Sequence, residues 1–263
     1  MVIPPLLLLF MFRGSPEIDP SLAYRKPYIN SLADFSVFGY SPLGESMSAL
    51  MAWGYWQTVL VAVLGRTLAL ALSFAGFFVS WMAVLPRPGA GGREFRAGNF
   101  WISRFSEAFM TIPSLLLALS LGYLVGEGFY TMILVIGVSE WAYNQKWLLG
   151  RLKEYNRLAF IEAGVAMGGG RYHIFRQHFL PFLYFDLGFL FFLYLPGSLL
   201  TVTALEFLGL SSGSDIAGLG SIIALNKDLV FLYPHVILPP AVLIVLTIFI
   251  AVALKDSRSE LRP

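Results

Sequence analysis

The sequence predicts an all-α integral membrane protein, and three observations carry that prediction. Hydrophobic residues make up 57% of the chain and charged residues 13%, with a mean hydropathy of +0.71, well outside the composition of soluble globular domains. The apolar residues gather into runs of the length needed to cross a bilayer, about 20 residues against about 30 Å of hydrocarbon. Those runs, among them PSLLLALSLGYLV and AVLIVLTIFIAVAL, do not alternate in polarity, which excludes the closed barrel as the spanning structure.

Taken in order, the first apolar run is VIPPLLLLFMF. As a helix it reaches only about 17 Å, and it has neither the basic start nor the small-residue cleavage site of a signal peptide. It reads as a first span that is clipped or short. Five clear spans follow, from Trp56 to Leu85, Phe105 to Val125, Phe129 to Leu149, Phe182 to Leu210 and Val236 to Leu254, each bounded by Gly, Pro or charged clusters. The chain, residues 1–263, is thus one transmembrane domain with extramembrane segments at 13–54, 150–181 and 211–233.

Orientation follows from where the basic residues lie, because Lys and Arg in short loops mark the cytoplasmic side. One side gathers Arg87, Arg93, Arg96 and Arg104, then Lys146, Arg151, Lys153, Arg157, Arg171 and Arg176, then Lys255, Arg258 and Arg262. The other has Arg13, Arg25, Lys26 and Lys227. Segment 150–181 and both termini are therefore expected in the cytoplasm, and segments 13–54 and 211–233 outside.

Several chemistries are excluded. With no cysteine there is no disulfide, thiolate metal site or cysteine nucleophile. The 18 basic residues nearly balance the 16 acidic ones, so no broad basic patch serves nucleic acid. His173, His178 and His235 stand without HExxH or a carboxylate at ligand spacing, so no metal and no other cofactor is expected. No GxxxxGK[ST] occurs, and the glycines of PRPGAGGRE read as a flexible loop.

The segment EAGVAMGGGRYHIFRQHFLP, Glu162 to Pro181, is a polar, basic insert between two apolar runs. Its composition implies a short helix, a break at Gly168–Gly170, and a second short helix closed by Leu180 and Pro181, since Gly permits a sharp turn and Pro suits a first helical turn. Residue types alone leave two readings open. Arg171, His173, Arg176 and His178 either meet lipid headgroups as a surface helix or face a protein partner.

The spacing of this insert resembles the EAA signature of ABC importer permeases. Glu162, Ala163, Gly168, Leu180 and Pro181 fall on signature positions, and His178 sits where the peptide and nickel branch commonly has His. Gly164 replaces the third signature residue, Ala. Other stretches are similar to the same branch: SPLGESMSALMAWG as a degraded form of its HPLGTDxxGRDxxSR segment, RFSEAFMTIPSLLLALSL through Glu107 and Pro113, LEFLGL at Leu205–Leu210, and the closing KDSRSELRP. The resemblance implies the transmembrane domain of a type I importer with cytoplasmic coupling helices, specifically the DppC or OppC type of permease in dipeptide, oligopeptide or nickel importers of a bacterial inner membrane. It also implies partners: a homologous second permease, cytoplasmic ATPase subunits that hydrolyse the ATP, and an external solute-binding protein. Under it, the insert seats in an ATPase groove, with Gly168 setting the bend, Glu162 orienting the first short helix, and Arg171 and Arg176 meeting acidic or carbonyl groups.

Polar residues within the spans are the remaining candidates, because ionisable groups there face a cavity or a partner. Arg66 and Glu140 read either as an interhelical pair or as pathway residues. Glu206 stands one helical turn beyond Val202, where the branch usually has Glu; it keeps that role at another depth or reaches outer water. Asp186 is explained by a helix N-terminus, which favours negative charge. Two rival readings stay open: an intramembrane enzyme using Glu140, Asp186 and Glu206, and a structural subunit that has lost transport.

Overall fold

The computed structural model describes residues 18–23, 38–84, 93–155, 158–210 and 217–259. The expected first span VIPPLLLLFMF, the glycine-rich loop at 85–92 and the final residues 260–263 lie outside the described residues. Nearly everything described is helical: α1 (Met47–Val84), α2 (Arg93–Met110), α3 (Ser114–Val125), α4 (Phe129–Tyr155), α5 (Ala159–Ala166), α6 (Arg171–Ile174), a π-helical turn (Phe175–Phe179), α7 (Leu180–Phe207), α8 (Leu219–Asn226) and α9 (Pro234–Ser259).

Helix α1 begins nine residues before the expected start of its span, and the Pro-Leu-Gly segment explains why. Ser41 to Gly44 form a turn with Pro42 in its second position, closed by the Gly44 N–H donating to the Ser41 carbonyl at 3.0 Å. The Ser41 hydroxyl accepts from the Leu43 and Glu45 amides. A Cβ on Gly44 would lie 1.7 Å from the Asp19 carbonyl oxygen, so this turn accepts no side chain there. The turn delivers the chain directly into Met47, and the resulting helix of 38 residues is about 57 Å long at 1.5 Å per residue.

That length makes α1 the spine of the molecule. From one end to the other it meets three buried clusters in turn: Met47, Met51 and Tyr55 with Leu219 and Val236; Val61 and Ala62 with Ile136, Leu199 and Val202; and Phe77 and Trp81 with Leu148, Leu152, Phe175 and Phe179. Its most extensive neighbour is α4, and small residues set the approach. Cβ atoms on Gly65, Gly137 and Gly76 would fall 2.7, 2.6 and 2.5 Å from Ile136, Leu68 and Gln145 respectively. Close backbone contact over small residues is how helices associate in lipid, where no hydrophobic drive is available.

Among the described residues, three helical stretches are both long and apolar enough to cross a membrane: Met47–Met82, Tyr172–Phe207 and Pro234–Leu254. The expected span Phe105 to Val125 is not one straight helix. It breaks at Thr111–Pro113, and the two arms meet at 92°. Pro113 cannot donate a backbone hydrogen bond and disfavours helix in the residue before it, while apolarity counts residues without fixing their direction. The stretch from Phe129 has the length, with 27 residues, but Glu140, Asn144 and Gln145 lower its apolarity. All three are buried. Finally, the expected loop 211–233 contains α8, whose Leu219, Gly220 and Ile222 are buried against α7 and the start of α1.

Candidate functional site

The insert folds as α5, a glycine turn, α6 and the π turn. Gly168 adopts φ +80°, a conformation that side chains with a Cβ strongly disfavour, and the Gly169 N–H donates to the Gly164 carbonyl at 3.0 Å. Together these make the left-handed cap that ends a helix and satisfies its last carbonyls. The second short helix does not stop at Leu180: it passes through the π turn into α7, giving one apolar helical run from Tyr172 to Phe207. Pro181 lacks an N–H, and the Leu180 N–H reaches back to the Phe175 carbonyl, the wider spacing of a π turn.

One side of this element is anchored and the other is bare. Ile161, Ile174, Phe175 and Phe179 are buried in the cluster around Trp81 and Tyr155. Phe175 lies 4.6 Å from the Trp81 ring. Outward face Ala163, Gly168, Tyr172, His173 and Arg176, with Met167 82% exposed; Leu180 and Pro181 are exposed and His178 is half-buried. Tyr172, His173, Arg176 and Gln177 form an exposed polar face on this element. The side chains of Glu162 and Arg171 lie outside the described residues.

Gly164, the departure from the signature, is buried, and a Cβ there would meet the His178 ring at 3.6 Å and Ile174 at 3.9 Å. Both are ordinary contact distances. Gly164→Ala is therefore expected to fit and to stabilise the protein by about 0.5–1 kcal/mol through helix propensity, read as a raised unfolding midpoint in detergent; a lowered midpoint would mean that the site is tighter than this.

Arg66 and Glu140 come together in the bundle interior. The Arg66 guanidinium, on a residue 1% exposed, lies 3.6 Å from a Glu140 oxygen. It donates to Asn144 Oδ1 at 2.5 Å and to the Leu190 carbonyl at 3.0 Å, and sits 4.9 Å from the centre of the Tyr194 ring. Ser198 donates to the same Glu140 oxygen at 2.5 Å. The pair ties α1, α4 and α7 together beside a pocket of about 200 Å³, whose walls include Ser114, Tyr143 and Thr201.

Glu206 does not reach water. It is 3% exposed and accepts hydrogen bonds from Thr58 Oγ1 at 2.9 and 3.0 Å and from the Gly220 amide at 3.0 Å. The Leu219 amide donates to Thr58 Oγ1. A carboxylate at the start of α8 satisfies amides that a helix leaves unpaired and meets the favourable end of its dipole.

Asp186 departs from expectation too. It caps no helix, being embedded in a continuous one, and is 3% exposed. Arg151 grips both its oxygens, Nε to Oδ2 at 3.2 Å and Nη2 to Oδ1 at 3.3 Å, and the Tyr155 hydroxyl donates to Oδ2. The three acidic residues do not converge. Asp186 and Glu206 are 20 residues apart on α7, about 30 Å along its axis, and each carboxylate is held by different partners. Asn144, Ser198 and Thr58 were not singled out in the sequence, and Arg151 was read there only as one of the basic residues marking the cytoplasmic side; each is ordinary until its distant partner is known.

The fold agrees with comparisons to known proteins. Residues 90–256 match the family described as binding-protein-dependent transport system inner membrane component. The chain belongs to this family. It is an ABC importer permease, and its apolar helices make it a multi-pass inner membrane protein. Similar proteins include the glutathione transport system permease protein GsiD of Pectobacterium atrosepticum, 22% identical over 86% of this chain and 69% of the relative. The oligopeptide transport system permease protein OppC of Haemophilus influenzae is 21% identical over 85% of this chain and 72% of the relative. A structure of the MetNI methionine ABC transporter superposes with a TM-score of 0.64, covering 81% of the permease and 97% of that chain at 18% identity, and so shares its fold.

Proposed function

We propose that this permease forms half of the translocation pathway of an ATP-driven peptide importer and is driven through the insert Glu162–Pro181 by a separate ATPase. A homologous second permease completes the pathway, and an external binding protein delivers cargo. The peptide class rests on the names of the relatives, and the cytoplasmic placement of the insert and both termini rests on the distribution of Lys and Arg.

One observation carries the docking reading: the insert is pinned by aromatic packing on its inner side while its outer side is exposed at Tyr172, His173 and Arg176. A lever must be rigid where it joins the spans and accessible where it is pushed. The Glu140, Asp186 and Glu206 carboxylates are each engaged by neighbouring groups, which leaves the enzyme reading without a constellation.

The test uses the whole transporter. Gly168→Pro forbids φ +80°, because proline is fixed near −65°, and Glu162→Lys reverses charge on α5. Both variants are expected to insert and to assemble with the second permease, while ATP hydrolysis no longer drives uptake of a labelled dipeptide. Normal coupled uptake in both would refute the docking role.

A further inference from the structure

We propose that Arg151, Asp186 and Tyr155 form a clamp that makes the insert and the two helices at its roots move as one body, a positioning role that rests on the docking function above. The insert leaves α4 at Tyr155 and returns into α7 through a stretch prone to bending. There the π turn Phe175–Phe179 widens the helix, and Pro181 supplies no N–H. Helices bend at such places. A push received at Tyr172 or Arg176 is dissipated if the helix flexes at that turn.

The clamp lies across the weak point. Asp186 stands just beyond Pro181 on α7 and is held from α4 by both Nε and Nη2 of Arg151. A planar fork meeting a carboxylate at two points resists rotation that a single contact permits. The guanidinium is itself fixed, 5.2 Å from the Trp147 ring centre and 5.4 Å from that of Tyr155, with Nη1 donating to Glu154 at 2.5 Å. The Tyr155 ring packs on Phe179 at 6.0 Å and on Phe182 at 5.7 Å, one residue on each side of Leu180–Pro181. Its hydroxyl donates to Asp186. One constellation thus bonds to α7 beyond the break, packs on both sides of it, and belongs to the helix from which the insert departs. Motion entering through α6 is delivered to α4 and α7 together.

With no native cysteine in this chain, spin labels are placed at Met167→Cys and Phe185→Cys, both exposed, on opposite sides of the π turn and short of Pro196, in a transporter assembled with cysteine-free partner subunits. The distance distribution is expected to be narrow with the clamp intact, broad in Arg151→Gln, and intermediate in Arg151→Lys, which retains charge without the fork. In Arg151→Gln, dipeptide uptake per ATP hydrolysed should fall on the order of tenfold, within the range of couplings between two sites. An unchanged distribution in Arg151→Gln overturns the clamp. If that variant does not assemble, Tyr155→Phe, which keeps the ring and drops one bond to Asp186, carries the same test. The distribution reads flexing whether or not an ATPase engages the insert, so failure of the docking role, seen as normal transport by Gly168→Pro and Glu162→Lys, is separable from failure of the clamp.

Discussion

Replacing Arg66 by leucine is expected to destabilise the permease by about 3–5 kcal/mol, the usual cost of stripping one partner from a buried ion pair. The cost comes less from the attraction lost than from the charge left behind. Glu140 would keep its hydrogen bond from Ser198 but lose its counter-charge inside the membrane-spanning bundle, where an unpaired carboxylate is expensive. Asn144 and the Leu190 carbonyl would lose a donor at the same time. Arg66→Met combined with Glu140→Gln removes both charges and approximates the volume, so it should recover much of the loss. The measurement is thermal unfolding in detergent of Arg66→Met, Glu140→Gln and the double variant. Contacting residues deviate from additivity by roughly 0.5–3 kcal/mol, and a double variant as unstable as the sum of the singles would show that the pair does not act as a unit.

That pair shows what the sequence discloses and what it hides. An arginine within an apolar run had to find a partner, and Glu140 was one of few ionisable groups at membrane depth; scarcity made the pairing legible. Asn144, Tyr194 and Ser198 escaped notice because neutral polar residues carry no such scarcity. Asp186 was misread for a related reason. Proximity to Pro181 suggested a helix start, but a π turn carries the helix through the proline, and the true partner, Arg151, is 35 residues earlier. The signature spacing located the insert and its bend at Gly168, while the anchoring by Phe175 and Phe179 on Trp81 depends on a crossing of α1 that no local pattern encodes. The break at Pro113 was written in the sequence as TIPS, yet it was absorbed into one span because hydropathy averages over a bend. Helix α8 was hidden for the opposite reason: glycines stand on either side of its start in LGSIIALN, and the apolar cluster and the Glu206 and Thr58 groups that receive it lie far away in sequence.

The contact of Glu206 and Thr58 with the start of α8 gives the second large effect, release of α8 from the bundle. Glu206→Ala removes the acceptor for both Thr58 and the Gly220 amide, and two charge-assisted hydrogen bonds at roughly 1.5 kcal/mol each put the cost near 3 kcal/mol. The packing argues the same way from the other partner. A Cβ on Gly220 would lie 2.2 Å from the Thr203 carbonyl oxygen, and one on Gly218 would lie 2.1 Å from a Glu206 oxygen. The first obstacle is backbone and cannot swing aside, so Gly220→Ala must push α8 off α7. Hydrogen exchange distinguishes this from general destabilisation. In both Glu206→Ala and Gly220→Ala the amide of Leu219 should lose protection, as should residue 220, while Leu148 and Leu152 in the cluster at the far end of α1 stay protected. Glu206→Gln should fall between, since an amide oxygen still accepts a hydrogen bond but carries no charge toward the helix start. Unaltered protection at Leu219 in both variants would mean that α8 is held by its apolar contacts with Met51 and Tyr55, and that the carboxylate is buried there for another reason.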